Sequence, residues 1–404
     1  MVGSSGIQRT LSLARELPAC GWEPIVLTAQ PHAYERVAED LMREIPESVP
    51  VERAFALDTA RHLRIGGRYP GFLARPDRWV SWSWRAVPAG MRLIKRFRPD
   101  AIWSTYPIAT AHLIGAELQR RSGVPWIADF RDPMAQDGYP EDAKTWQSFK
   151  KIEETAVARA ARLVFVTPGA RHMYETRYPT TPGERFAVVE NGYDESFFEI
   201  AEGQLQGRGP LNAGCLTLLH SGIVYPSERD PTALFAALSR LRARGDIGAG
   251  NFRLRFRAPA HDELLHRLAR ETSTSDLIEV LPPIAYGDAL VEMMNADALL
   301  IMQGANCNEQ IPAKLYEYLR ARRPLLGLAD PQGDTAHALR DAGVRHIGKL
   351  EDSAAVEHAL SGFLESLRAG QSELPNEESV ASSSRRFRTR QMADILNEVA
   401  SARA

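Results

Sequence analysis

Along the chain, short apolar runs alternate with longer stretches whose apolar positions recur every three or four residues. That is the pattern of strands joined by helices in a mostly parallel sheet. In the first half, Pro24 to Ala29, Ala101 to Thr105, Trp126 to Asp129, Arg162 to Thr167 and Ala187 to Glu190 read as buried strands. In the second half, Leu216 to Ser221, Arg253 to Ala258, Ile278 to Leu281, Ala298 to Met302 and Pro324 to Leu328 read the same way. The signal occurs twice, so the pattern predicts an α/β protein of two doubly wound domains. The polar, Gly-rich stretch Ala201 to Gly214 (AEGQLQGRGPLNAG) lacks periodicity and reads as the linker, with the boundary near residue 195. The expected domains are residues 1–194 and 195–383, followed by a segment 384–404. Ser379 to Arg388 breaks the pattern before that segment's amphipathic helix, Thr389 to Ala402.

The chain opens on Gly3-Ser4-Ser5-Gly6-Ile7-Gln8-Arg9-Thr10, a glycine loop that in a nucleotide-binding unit follows a strand. Either the true start lies upstream, or the first domain lacks its first strand. The length of 404 residues agrees with two or three domains at ~150 residues each. With 49 Lys+Arg against 51 Asp+Glu the formal charge is −2, so no global field favours nucleic acid. The three cysteines have no metal-ligand spacing, and no apolar run approaches the ~18 residues of a spanning helix. Met1 to Thr10 is too polar for a signal peptide, and the expected location is the cytoplasm.

The most specific segment is Gly304 to Pro324, GANCNEQIPAKLYEYLRARRP. It follows an apolar strand, and Pro312 suits the first turn of a helix holding Leu315, Tyr316, Tyr318 and Leu319. Glu309 then sits at the helix mouth and Glu317 about one turn inside. A carboxylate accepts two hydrogen bonds from adjacent sugar hydroxyls, and Lys314 adds a cation where backbone N–H groups favour phosphate. A sugar-diphosphate fits such a set. The plainer alternative is two solvated glutamates and a surface lysine.

Together with the opening GSSGIQRTLSLARELPACGWEPIVLT and the segments VPWIADFRDPM, VVENGYD and LLHSGIVYPSERDP, this motif makes the chain resemble the family-4 glycosyltransferases of the GT-B fold, over nearly its whole length. The resemblance implies two Rossmann-like domains facing a cleft, a nucleotide-sugar donor on the second and an acceptor on the first. It also implies retention at the anomeric carbon and no metal or other cofactor; no Asp-x-Asp pair is present. Carried over, Glu317 grips the nucleotide ribose and Glu309 the donor sugar, while Lys314 and Arg229 face the diphosphate and stabilise it as it departs. Gly222, Gln310, Ile311, Pro283 and Ile284 complete the donor side. The family places two basic residues after the first glycine of the second domain, whereas here Gly222 is followed by Ile223-Val224-Tyr225-Pro226-Ser227-Glu228-Arg229. Arg229 either serves the phosphate or pairs with Glu228 or Asp230.

In the first domain, Asp129-Phe130-Arg131-Asp132-Pro133 ends a strand. Asp129 or Asp132 contacts the acceptor and the transferred sugar, or else the charges, Arg131 included, form a structural pair. Gly3, Gly6 and Asn191 are assigned to the acceptor side or the cleft; Asn191-Gly192 is equally a tight turn. His112 reads as a packed or capping histidine. Residues 61–98 hold ten Lys or Arg against one acid, Asp77, interleaved with aromatics. That composition suits an anionic membrane surface on the inner face of the plasma membrane, or a lipid-diphosphate acceptor, or simply a solvated surface. The expected partners are a nucleotide sugar and a glycan or lipid-linked acceptor in polysaccharide assembly, without nucleic acid. The competing readings are a nucleotide-sugar epimerase on the same fold and a non-catalytic GT-B binding subunit.

Overall fold

The computed structural model of the protein describes residues 7–35, 37, 42 and 44–402. The chain divides into two compact units, one running to Glu190 and regaining the chain from Arg386, the other spanning Asn191–Arg385.

The first unit contains helix α1 (Ile7–Glu16), strands β1 (Val26–Ala29) and β2 (Val51–Ala54), helix α2 (Trp82–Phe97), β3 (Ile102–Thr105), α3 (Ala109–Ser122), β4 (Trp126–Phe130), α4 (Ala143–Arg159), β5 (Arg162–Phe165), α5 (Pro168–Arg177) and β6 (Phe186–Val188). The strands β3, β4, β5 and β6 pair in that order as a parallel sheet, while β1 and β2 pair separately, with Val26 opposite Val51. β4 is buried at all five positions, as expected of a parallel strand covered on both faces. One face packs Trp126, Phe130, Phe165 and Tyr174 into a single cluster. On the other, Ile127 and Val164 meet Leu13 and Leu17 together with Met392, Ile395, Leu396 and Val399 of the closing helix Arg385–Ser401. The pattern did not predict β2, because its sequence VERA is half charged and offers no apolar run. A strand before Gly3, and Gly3 and Gly6 themselves, lie outside the described residues.

In the second unit, β7 (Leu216–Ser221), β8 (Phe252–Arg257), β9 (Ile278–Leu281), β10 (Ala298–Gln303), β11 (Leu325–Ala329) and β12 (Ile347–Gly348) form one parallel sheet in the order β12-β11-β10-β7-β8-β9. Strand order reverses between β7 and β10. Open α/β sheets offer ligands a crevice at such a switch point, beyond the strands' carboxyl ends. The sequence expectations need two corrections here. The stretch Ala201 to Gly214 is not all linker, because helix α6 (Glu195–Leu205) runs into it. Asp194 caps α6 through Ser196 N at 3.2 Å, and Phe198 and Ala201 pack into the core, so apolar contact overrides the polar composition. Pro312 also lies outside the helix expected to contain it. Helix α8 (Lys314–Ala321) begins two residues later, and the Pro312 carbonyl accepts from Leu315 N at 2.9 Å.

Candidate functional site

Three segments meet at the switch point of the second unit. The first is the turn after β7, where Gly222 adopts φ +108°, a left-handed conformation that favours glycine. A Cβ on Gly222 would lie 3.0 Å from the Lys314 ammonium, so the missing side chain is also what admits Lys314. The second is the loop after β10, tied to the first by Gly304 N–H donating to the Glu228 carbonyl at 2.6 Å and Asn306 Nδ2 donating to the Ser227 carbonyl at 2.8 Å. The third is the first turn of α8, which carries Lys314 and Glu317.

Lys314 is half-buried, and its Nζ lies 3.1 Å from Nε2 of the fully buried His220 in β7. His220 Nδ1 lies 3.0 Å from the Leu300 carbonyl, which can only accept; Nδ1 therefore carries the proton and Nε2 offers Lys314 a lone pair. Burial, then the nearby Arg229 cation, pushes the Lys314 pKa well below that of an ordinary lysine. Burial and the Lys314 charge likewise hold His220 well below an ordinary histidine. Arg229 is 12% exposed at its side chain and folds over the β7 turn, donating to the Ile223 carbonyl at 3.1 Å and to Gln303 Oε1 at 3.3 Å. Its contact with Glu228, at 4.0 Å, stands at the outer limit of an ion pair.

Glu317 accepts from the Tyr286 hydroxyl at 2.7 Å, at the start of helix α7 (Tyr286–Asn295). Burial raises the Glu317 pKa, against the hydrogen bond from Tyr286 and the charges of Arg385 and Lys314. Two cations and one glutamate thus gather where three backbone turns converge. Such a set can hold a diphosphate on the cations and accept hydrogen bonds from hydroxyls on the carboxylate.

The remaining donor-side residues are placed unequally. Glu309 and Gln310 are half-buried in the loop before α8, with the Gln310 carbonyl accepting from Thr335 Oγ1 at 2.9 Å. Ile311 is 8% exposed and packs among the core residues of this unit, so its side chain fills the core. Pro283 and Ile284 are exposed in the loop between β9 and α7, two residues and one residue before the Ala285–Tyr286 step that delivers Tyr286 to Glu317.

In the first unit, Asp129 is fully buried at the end of β4. Its two oxygens accept from Arg9 Nε at 2.9 Å and Nη2 at 3.0 Å, and Thr105 Oγ1 adds a bond at 3.0 Å. Arg9, on α1, also donates to the Glu190 carbonyl at 3.0 Å, so one guanidinium joins α1, β4 and the end of this unit. The two residues are 120 positions apart, and nothing in their spacing announces the pair. Arg131 is half-buried and Asp132 exposed in the segment after β4. That segment is fastened by Tyr174 Oη accepting from Met134 N at 3.0 Å and by the buried Glu153 accepting from Ala135 N at 3.2 Å. Asn191, half-buried, opens the second unit.

Sequence reasoning passed over His220, Arg9 and Tyr286. Only His220 carried a signal: an imidazole closing an apolar strand just before a glycine turn. Among the described residues no group of three His, Cys, Asp or Glu side chains is arranged to hold a metal ion, and no helix is long and apolar enough to cross a membrane.

Residues 5–192 match the family model described as glycosyl transferase 4-like domain. Among curated proteins none matches the sequence. Among solved structures, the chain is similar to a sucrose-phosphate synthase from Thermosynechococcus elongatus, at 14% identity and TM-score 0.67 over 99% of this chain and 94% of that one. It is also similar to a UDP-forming α,α-trehalose-phosphate synthase from Burkholderia vietnamiensis, at 14% identity and TM-score 0.66 over 94% and 99%. A third similarity is to Anabaena HepE in complex with UDP and glucose, at 12% identity and TM-score 0.58 over 98% and 96%. The parallel sheets and these similarities agree on the GT-B fold, and residues 5–192 of the chain are a glycosyl transferase 4-like domain.

Proposed function

We propose that the protein moves a sugar from a nucleotide-diphosphate donor to a hydroxyl of a glycan or lipid-linked acceptor, with retention and without an essential metal ion. The observation that carries the donor half is the Lys314 ammonium, held on His220 above Gly222 with Arg229 beside it. As the glycosidic bond breaks, the departing diphosphate gains negative charge, and cations already fixed there bind it more tightly than they bind the intact donor. No reorganisation of the protein is then needed at the moment of reaction. Glu317, kept in place by Tyr286, accepts the ribose hydroxyls, and Glu309 serves the donor sugar. A UDP-bound neighbour of the same fold supports a nucleotide donor.

Retention follows if the acceptor attacks the face the diphosphate leaves, with a diphosphate oxygen taking the acceptor proton. No protein base is required, which agrees with the burial of Asp129 beneath Arg9. Asp132, exposed after β4, is the carboxylate assigned to the acceptor.

The test is mass-spectrometric turnover with UDP-, GDP- and ADP-sugars in the presence of glycan or polyprenyl-diphosphate-sugar acceptors, with the product linkage read by NMR. The expected result is acceptor-dependent release of nucleoside diphosphate and a product that keeps the donor's anomeric configuration. Inversion, or epimerised donor released without acceptor, contradicts it.

A further inference from the structure

The segment from Arg61 to Arg98 holds ten Lys or Arg against one acid, in a chain whose whole balance is −2. The one acid is turned inward: Asp77 accepts from Thr110 N at 2.7 Å, Thr110 Oγ1 at 2.9 Å and Trp79 N at 2.9 Å, capping α3. Two of the aromatic side chains are also committed to the interior, Trp82 by burial and Trp79 by donating Nε1–H to the Ala33 carbonyl at 2.9 Å.

Val87 is buried and Met91 and Ile94 pack against the same core, but three other large apolar side chains point out. Ile65 is 86% exposed, and Phe72 and Trp84 are each 69% exposed. In the same segment Arg61, Arg64, Arg68 and Arg85 are all exposed, with no acid within ion-pair distance among the described residues. Exposed apolar side chains in a strongly basic segment suit an interaction surface.

The local structure makes this a built surface. Ile65 and Arg68 bond to each other, N–H to carbonyl at 2.9 and 3.1 Å, across Gly66 and Gly67 at φ +56° and +85°. The result is a tight turn with the two glycines at its corner and Ile65 and Arg68 at its ends. The base of this loop and the start of α2 hang from one node: Thr59 Oγ1 donates to the Leu73 carbonyl at 2.6 Å, Thr59 N to the Arg78 carbonyl at 2.9 Å, and Ser81 Oγ bonds Leu57 N and carbonyl at 2.9 and 3.0 Å. Phe72 adjoins Leu73 and Trp84 follows Ser81 by three residues, so both flank that node. Asp58 at the same node binds Arg78 through Nε at 2.8 Å and is itself fully buried.

We propose that this face docks on an anionic lipid bilayer, with Ile65, Phe72 and Trp84 entering the boundary between headgroups and acyl chains and the four arginines meeting lipid phosphates. Charge complementarity combines here with apolar side chains of the kind that reside at that depth. Neither element suffices alone: arginines without apolar wedges bind loosely and salt-sensitively, and apolar wedges without arginines show no preference for anionic lipid. The docking does not depend on which donor the protein uses.

The test is co-sedimentation of the full chain with vesicles of phosphatidylcholine containing phosphatidylglycerol, and with vesicles of phosphatidylcholine alone. The expected result is binding to the anionic vesicles, at least tenfold weaker to neutral ones. Binding to the anionic vesicles should also weaken at least tenfold in the triple variant Ile65→Ser, Phe72→Ser, Trp84→Ser and, separately, in Arg64→Ala, Arg68→Ala. Every changed side chain is exposed, and unaltered thermal melting of both variants checks the fold. Equal binding to neutral vesicles, absence of binding to anionic ones, or binding by the variants equal to that of the unsubstituted chain overturns the proposal.

Discussion

At the scale of single residues, the buried polar groups divide into those that hold the fold and those that face a ligand. Arg9 and Asp129 belong to the first kind: a bidentate pair out of reach of water that joins the first helix to the central strand. His112 belongs there too. It is fully buried among Tyr106, Trp126 and Phe130, its Nδ1 lies 2.7 Å from the Ser104 hydroxyl, and burial pulls its pKa down to about 4. The sequence reading of a packed histidine therefore agrees with its surroundings, and a pH dependence follows. Below its ordinary pKa of 6.5 the unfolded chain takes a proton on this imidazole that the folded chain refuses until about 4. Stability linked to His112 is thus present above 6.5 and is lost as the pH falls toward 4, by roughly 3 kcal/mol over the full window. His112→Gln removes the titration while leaving Ser104 an acceptor. Thermal melts from pH 7 to 4.5 should show a shallower acid slope in the variant, and equal slopes would refute the assignment.

At the scale of elements, what the pattern of apolar positions reveals depends on burial. β4, β10 and β11 are buried at every position and read as mostly apolar runs, broken only by Asp129 and Gln303, and the sequence places them within a residue or two. β2 and the two-residue β12 are too short and too polar to register, since the neighbouring strand rather than their own composition makes them strands. The join between units shows another kind of information the sequence hides. Tyr193 N donates to the Ser383 carbonyl at 3.1 Å and Arg385 N to the Tyr193 carbonyl at 2.8 Å, so the segment entering the second unit lies on the segment leaving it. Gly192 is required there, because a Cβ would come within 2.5 Å of the Ser383 carbonyl oxygen. The sequence reading left Asn191-Gly192 equally a tight turn or part of the cleft, and gave no sign of this close packing. Gly192→Ala should cost about 1–3 kcal/mol as an overpacking change. A chemical denaturation midpoint equal to that of the unsubstituted chain would show that the two segments can part without loss.

At the scale of the whole molecule, much of the candidate site was legible because its residues sit on one short stretch, Gly304 to Pro324, where a strand, a loop and a helix succeed one another. The parts that stayed hidden come from elsewhere in the chain: His220, 94 positions from Lys314, and Tyr286, 31 positions from Glu317. Only the fold, by reversing strand order between β7 and β10, brings them to one place. The net charge of −2 told nothing of the local clustering of cations at that place or along residues 61–98. The central claim is that the Lys314 and Glu317 turn holds the nucleotide diphosphate. Its most direct test is calorimetric titration of UDP, GDP and ADP into the protein and into Lys314→Ala and Glu317→Ala. The account predicts that at least one nucleotide binds the unsubstituted chain and that each substitution weakens it at least tenfold, about 1.4 kcal/mol. Dissociation constants unchanged in both variants would contradict it.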